Sequence, residues 1–132
     1  MTAYTQSPEL AALADQVIGE NDNLSHLPET GCRIAYQTAD TSKKRGAKTV
    51  YADTEKVKDK YRGLLPYDFV ITFYWPSCKD LSEEELKRLM FHELCHVGYG
   101  KEGERRILPH DVEDFRDCIE RWGVDWIQGG KA

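Results

Sequence analysis

Apolar side chains at Leu10, Leu13, Val17 and Ile18 fall on one face at helical spacing, which predicts an amphipathic helix over residues 8–20. Its start is marked by Ser7-Pro8-Glu9. The hydroxyl can cap the first turn, the proline lacks only an N–H that would be unpaired there, and the carboxylate sits at the positive end of the helix dipole. Gly19 and Asn21-Asp22-Asn23 end the helix. Residues 32–38 and 48–57 read as two strands, with Lys43-Lys44-Arg45-Gly46 as the turn between them. Residues 68–75 are apolar or aromatic at successive positions, as in a strand covered on both faces, and Pro76 stops it. Ser82 and Glu85 have the spacing of a reciprocal capping box. The helix they open is predicted to run over residues 83–97 and to end at Gly98-Tyr99-Gly100. After Pro109-His110-Asp111, a last helix carries Val112, Phe115, Ile119 and Trp122 on one face, with Asp111 as its cap. The predicted order is α-β-β-β-α-α, an α+β arrangement forming one domain over residues 1–132.

Composition adds constraints to this outline. A chain of 132 residues with 40% hydrophobic and 31% charged positions can bury a real core. No apolar run approaches the roughly 18 residues a membrane span needs, and the first residues lack the basic start and apolar stretch of a secretory signal. The expected location is the cytoplasm, with no membrane partner. Cys32, Cys78, Cys95 and Cys118 form no C-x-x-C pair and are expected to be reduced thiols, mostly buried as small hydrophobes. The net charge of −5 is uneven: residues 43–62 hold eight basic side chains against Asp53, Glu55 and Asp59, a local +5, which leaves −10 elsewhere. A solvated hairpin whose lysines protect a sheet edge accounts for this segment. A patch that meets nucleic acid or an acidic partner is the sharper alternative.

The chemistry concentrates at His92-Glu93-Leu94-Cys95-His96. On a helix, histidines four apart lie within about 40° of each other and one turn apart, so both imidazoles can ligate one tetrahedral zinc ion. Glu93, about 100° round the helix from His92, can reach a metal-bound water without being a ligand, as a general base must. The helix's apolar stripe, Leu86, Leu89, Met90, Leu94 and Val97, encloses Glu93 and leaves the histidines at its border. An inward carboxylate is costly unless it is partnered or functional. The plainer reading is a surface histidine pair beside a glutamate satisfied by a hydrogen-bond donor. Cys95 projects to the far side of the helix.

A catalytic zinc site needs three protein ligands and an open position. His110, fourteen residues past His96, is the best-placed third ligand. Glu113, one turn further on, can replace it or support it from behind, and Asp111 and Asp114 can orient the imidazoles. His26 reads as a surface histidine remote from the motif. Tyr99, Arg105 and Arg106 are candidates to stabilise an oxyanion. The strand over residues 68–75 would read an extended peptide if it formed an open sheet edge.

The run Met90-Phe91-His92-Glu93-Leu94-Cys95-His96, followed by Pro109-His110-Asp111-Val112-Glu113-Asp114-Phe115, resembles the putative phage metallopeptidase family. Its members are short and carry H-E-L-x-H with a downstream H-D-x-x-x-F; the family is similar to a minimal SprT-like zinc peptidase. The resemblance covers residues 68–120 closely and residues 1–60 thinly. It implies a zincin-like domain with a small sheet packed on the H-E-x-x-H helix. It implies Zn2+ held by His92, His96 and His110, Glu93 as the catalytic base, and a protein or peptide substrate. It also implies a phage or prophage origin and action in a bacterial cytoplasm. SprT-like relatives act on DNA-associated proteins, which connects the basic segment 43–62 to nucleic-acid proximity. The competing readings are a non-catalytic, zinc-stabilised binding or inhibitor protein acting on a host factor, and metal-assisted hydrolysis of a non-peptide amide. The oligomeric state stays open.

Overall fold

The structure is a computed structural model that describes residues 1–99 and 105–107. Strand β1 (Tyr4–Gln6) leads into helix α1 (Pro8–Glu20). Ser7 caps α1 as its sequence predicts, its hydroxyl accepting from the Leu10 N–H at 3.1 Å. A 3-10 turn (Asp22–Leu24) and a single helical turn, α2 (His26–Glu29), then bring the chain to β2 (Ile34–Ala39). Strands β3 (Lys43–Arg45), β4 (Lys48–Val50) and β5 (Ala52–Lys56) follow. After β6 (Phe69–Tyr74) come the short helix α3 (Trp75–Cys78), helix α4 (Glu83–Leu94), and strands β7 (Val97–Tyr99) and β8 (Arg105–Ile107).

The chain is thus a mixture of helix and strand, but its order is richer than α-β-β-β-α-α. Strands β1, β2, β6 and β5 form one sheet in that spatial order, with β2 parallel to β6 and the outer pairs antiparallel. Strands β3–β4 and β7–β8 form separate two-stranded ribbons. The strand expected over residues 48–57 changes partners at Tyr51, where β4 leaves the β3 ribbon and β5 joins β6. The Tyr51 carbonyl marks the switch by accepting from the Tyr74 N–H at 2.9 Å and from the Cys78 thiol at 3.2 Å. Lys43-Lys44-Arg45 is strand rather than turn; the reversal falls at Gly46, whose φ of 65° suits glycine in a two-residue hairpin turn. The strand over residues 68–75 is confirmed as β6, but it is interior, between β2 and β5, and so offers no edge to a peptide. The sheet's outer strands are β1 and β5.

Interior placement explains the composition of β6. Phe69, Ile71 and Phe73 are fully buried, and Thr72 and Tyr74 on the opposite face are buried too. Leu10, Ala14 and Val17 of α1 and Leu89, Met90 and Leu94 of α4 belong to the same apolar cluster as these β6 residues. Leu13 and Ile18, expected on the buried face of α1, sit at the cluster's margin. Helix α4 lies against α1 and β5, and a Lys87–Glu20 ion pair at 2.9 Å bridges the two helices. Cys78 is buried, whereas Cys32 and Cys95 are half-buried, and none of these three is in a disulfide. Cys118 and the predicted last helix lie outside the described residues.

One buried charge pins the start of β6. Asp68 accepts from the Arg33 backbone N–H at 2.9 Å through Oδ2 and from the Arg62 guanidinium at 2.6 Å through Oδ1. Its own N–H donates to the Arg33 carbonyl at 2.7 Å, and its carbonyl accepts from the Val57 N–H at 2.9 Å. This aspartate joins the start of β2, the chain leaving β5 and the strand it opens. A buried carboxylate is tolerated where charge-assisted hydrogen bonds satisfy it in this way.

Candidate metal centre

Helix α4 begins with the capping box read from the sequence. Ser82 Oγ accepts from the Glu85 N–H at 3.1 Å, and Glu85 Oε1 accepts from the Ser82 N–H at 2.9 Å. Its other end differs from expectation. The helix stops at Leu94 rather than at Val97: the Cys95 N–H still makes a helical bond to the Phe91 carbonyl, but the His96 N–H tightens onto the Glu93 carbonyl, each 3.0 Å. Val97 then pairs with Ile107 in the β7–β8 ribbon. Cys95 keeps helical dihedrals (φ −67°, ψ −17°), so the turn carries on far enough to present His96 beside His92.

The two imidazole rings stand 5.5 Å apart, centre to centre, and nearly perpendicular at 83°. Ligand atoms of His92, Glu93 and His96 all lie within 4.8 Å of one another. His92 and Glu93 are buried, at 5% and 4% exposure, and His96 is half-buried. Two imidazoles beside a carboxylate suit a borderline-soft divalent ion. Cys95 is not in this donor set, as its position on the helix predicts.

Glu93 does turn inward, and the structure identifies its partner. Thr54 of β5 approaches within 2.8 Å of the Glu93 carboxylate Oε1 and 3.1 Å of the Glu93 backbone carbonyl. Burial pushes the Glu93 pKa up to about 7. The Thr54 hydrogen bond opposes that rise, Asp53 adds to it, and Arg45 also opposes it. Nothing in the sequence marks Thr54. It stands 39 positions from Glu93, and only the packing of β5 on α4 unites them.

The raised acid has a consequence for the metal-free protein. Between about pH 4.5 and 7, the folded state holds a proton on Glu93 that the unfolded state releases. Its stabilising effect is complete below that window and is lost as the pH rises through 7. Metal-free Glu93→Gln is therefore expected to be more stable than the unmodified chain at pH 8, by up to about 3 kcal/mol. The gap should close below pH 5, as read by urea unfolding in chelator.

Tyr99 and Arg105 lie opposite each other in the β7–β8 register, and Arg106, which is exposed, lies opposite Gly98. His26 opens α2, part-exposed, with Nδ1 3.1 Å from the Asn23 carbonyl. His110, Asp111, Glu113 and Asp114 lie outside the described residues. In the basic segment, Lys43 is held by Asp53 at 2.6 Å, and Arg62 belongs to the Asp68 cluster. Lys44, Arg45, Lys56, Lys58 and Lys60 are exposed.

Paired imidazoles beside a buried carboxylate, at the end of one helix in a mixed helix-and-strand fold, define a candidate metal-binding protein. The chain belongs to the putative phage metallopeptidase family, which it matches over residues 2–131. The family implies a bound metal and a protein or peptide substrate. No curated protein and no solved structure matches the chain. Among the described residues, no helix is long and apolar enough to cross a membrane.

Proposed function

We propose that this chain is a zinc-dependent peptidase of the H-E-x-x-H type, phage- or prophage-encoded, folded as one zincin-like domain. The observation that carries this reading is the placement of Glu93. It is a buried carboxylate within 4.8 Å of two imidazole donors, in a chain whose family is described as metallopeptidase. His92 and His96 hold the ion, and His110 serves as the third ligand. Bound there, zinc supplies Lewis acidity to the scissile carbonyl and to the attacking water.

The remaining work falls to the chain's own groups. Glu93 accepts the attacking water's proton on its carboxylate and delivers it to the leaving amine nitrogen as the C–N bond breaks. Its apolar surroundings make that carboxylate a stronger base than an exposed one. An interior β6 leaves β5 as the sheet edge nearest the site, the strand on which an extended substrate can align. A zinc-stabilised binding protein would need the two histidines but would have no use for a buried carboxylate that costs stability at neutral pH. Hydrolysis of an unfolded, fluorophore-labelled protein should appear with zinc supplied, vanish in chelator and return on zinc readdition. Cleavage indifferent to chelator would overturn the metal-dependent reading.

A further inference from the structure

Glu93 carries two carboxylate oxygens and a backbone carbonyl, and these are not treated alike. The carbonyl already accepts the His96 N–H at 3.0 Å. The Thr54 hydroxyl has one proton to give, and of the two Glu93 oxygens within its reach the carboxylate Oε1 is the closer and the charged one, at 2.8 Å against 3.1 Å. A charge-assisted hydrogen bond is the stronger, so that proton goes to Oε1. Oε2 takes no hydrogen bond among the described residues. Thr54 is itself fixed in the sheet, paired with Ile71 in the ladder that joins the outer strand β5 to the interior strand β6.

Without that tie, the carboxylate is free to swing. Its oxygens belong to the same donor set as His92 and His96, so it could become a ligand rather than a base. We propose that Thr54 is the positioning residue of this centre: its hydroxyl ties Glu93 Oε1 to β5, keeps the carboxylate off the metal and leaves Oε2 to move the proton. This rests on the reading of Glu93 as the general base, and it adds a residue from a separate element that the H-E-x-x-H motif does not contain.

The experiment compares four proteins: the unmodified chain, Thr54→Ser, Thr54→Val, and Thr54→Val combined with Glu93→Gln. Valine keeps the shape and strand preference of threonine while removing the hydroxyl. Each is loaded with cobalt(II) for its d–d absorption, and its zinc affinity is measured by competition with a chromogenic chelator. The expected result is that Thr54→Ser matches the unmodified chain. Thr54→Val should show the weaker, shifted bands of a higher coordination number and bind zinc about 10-fold tighter. Adding Glu93→Gln to Thr54→Val should restore the original spectrum. Thr54→Val indistinguishable from the unmodified chain would overturn the proposal, as would a change that persists in the double variant. Failure of the unmodified chain to bind either ion would overturn it together with the metal centre. Metal binding without hydrolysis would instead remove the peptidase reading, while the spectra still decide whether Thr54 holds Glu93 away from the ion.

Discussion

Glu93→Gln is expected to slow hydrolysis by about a hundredfold to ten-thousandfold, the usual contribution of a positioned general base, while zinc content stays the same. Glutamine matches glutamate in shape and keeps an oxygen to accept from Thr54, so the packing of α4 on β5 should survive. In the proposed mechanism, what it removes is the ability to take a proton from water and return it to the leaving nitrogen. The same substitution should stabilise the metal-free protein at pH 8, because it relieves a buried acid whose pKa is pushed to about 7. Opposite effects on rate and stability are the mark of a residue retained for function at a cost to the fold. An unchanged rate with zinc bound would remove Glu93 from the chemistry. A lost fold would make its role structural.

Phe73→Ala is expected to destabilise the protein by about 3–5 kcal/mol, a large share of the roughly 5–15 kcal/mol that holds a domain of this kind together. Phe73 is fully buried in β6, the interior strand, opposite Thr38 of β2 and Ala52 of β5. Both neighbours are small, and hydrogen bonds on both sides of β6 keep the strand from collapsing into the space. The cavity should therefore stay open, which puts the cost towards the upper end of that range. Urea denaturation followed by far-UV circular dichroism reads it directly. A loss below about 1 kcal/mol would mean that Phe73 does not pack in the interior of the sheet.

Elements specified by local chemistry were legible in the sequence. The Ser7-Pro8-Glu9 start, the Ser82–Glu85 capping box and the doubly buried run of β6 each depend on neighbouring residues, and the structure reproduces each. The inward position of Glu93 was legible for the same reason, since it follows from helical periodicity around Leu86, Leu89 and Met90. What depends on pairing across the chain was not. The break at Tyr51 arises because β4 and β5 serve different partners, and no residue type announces it. The short β1 owes its existence to pairing with β2, with Tyr4 opposite Ala39. Helix α4 ends early because Val97 is claimed by a strand partner at Ile107, a competition that helix propensity alone does not register. Thr54 was invisible on the same grounds, as an ordinary strand threonine until β5 is laid against α4.

The proposed zinc centre is tested by metal content, read by mass spectrometry on protein purified without a histidine-rich tag, for the unmodified chain, His92→Ala, His96→Ala, His110→Ala and Glu93→Gln. About one zinc per chain is expected in the unmodified protein and in Glu93→Gln, with its loss in each histidine variant. Retention in His110→Ala alone would move the third ligand to Glu113 or a neighbouring acid. An unmodified chain that holds no metal even when zinc is supplied would rule out the metal centre and the peptidase with it.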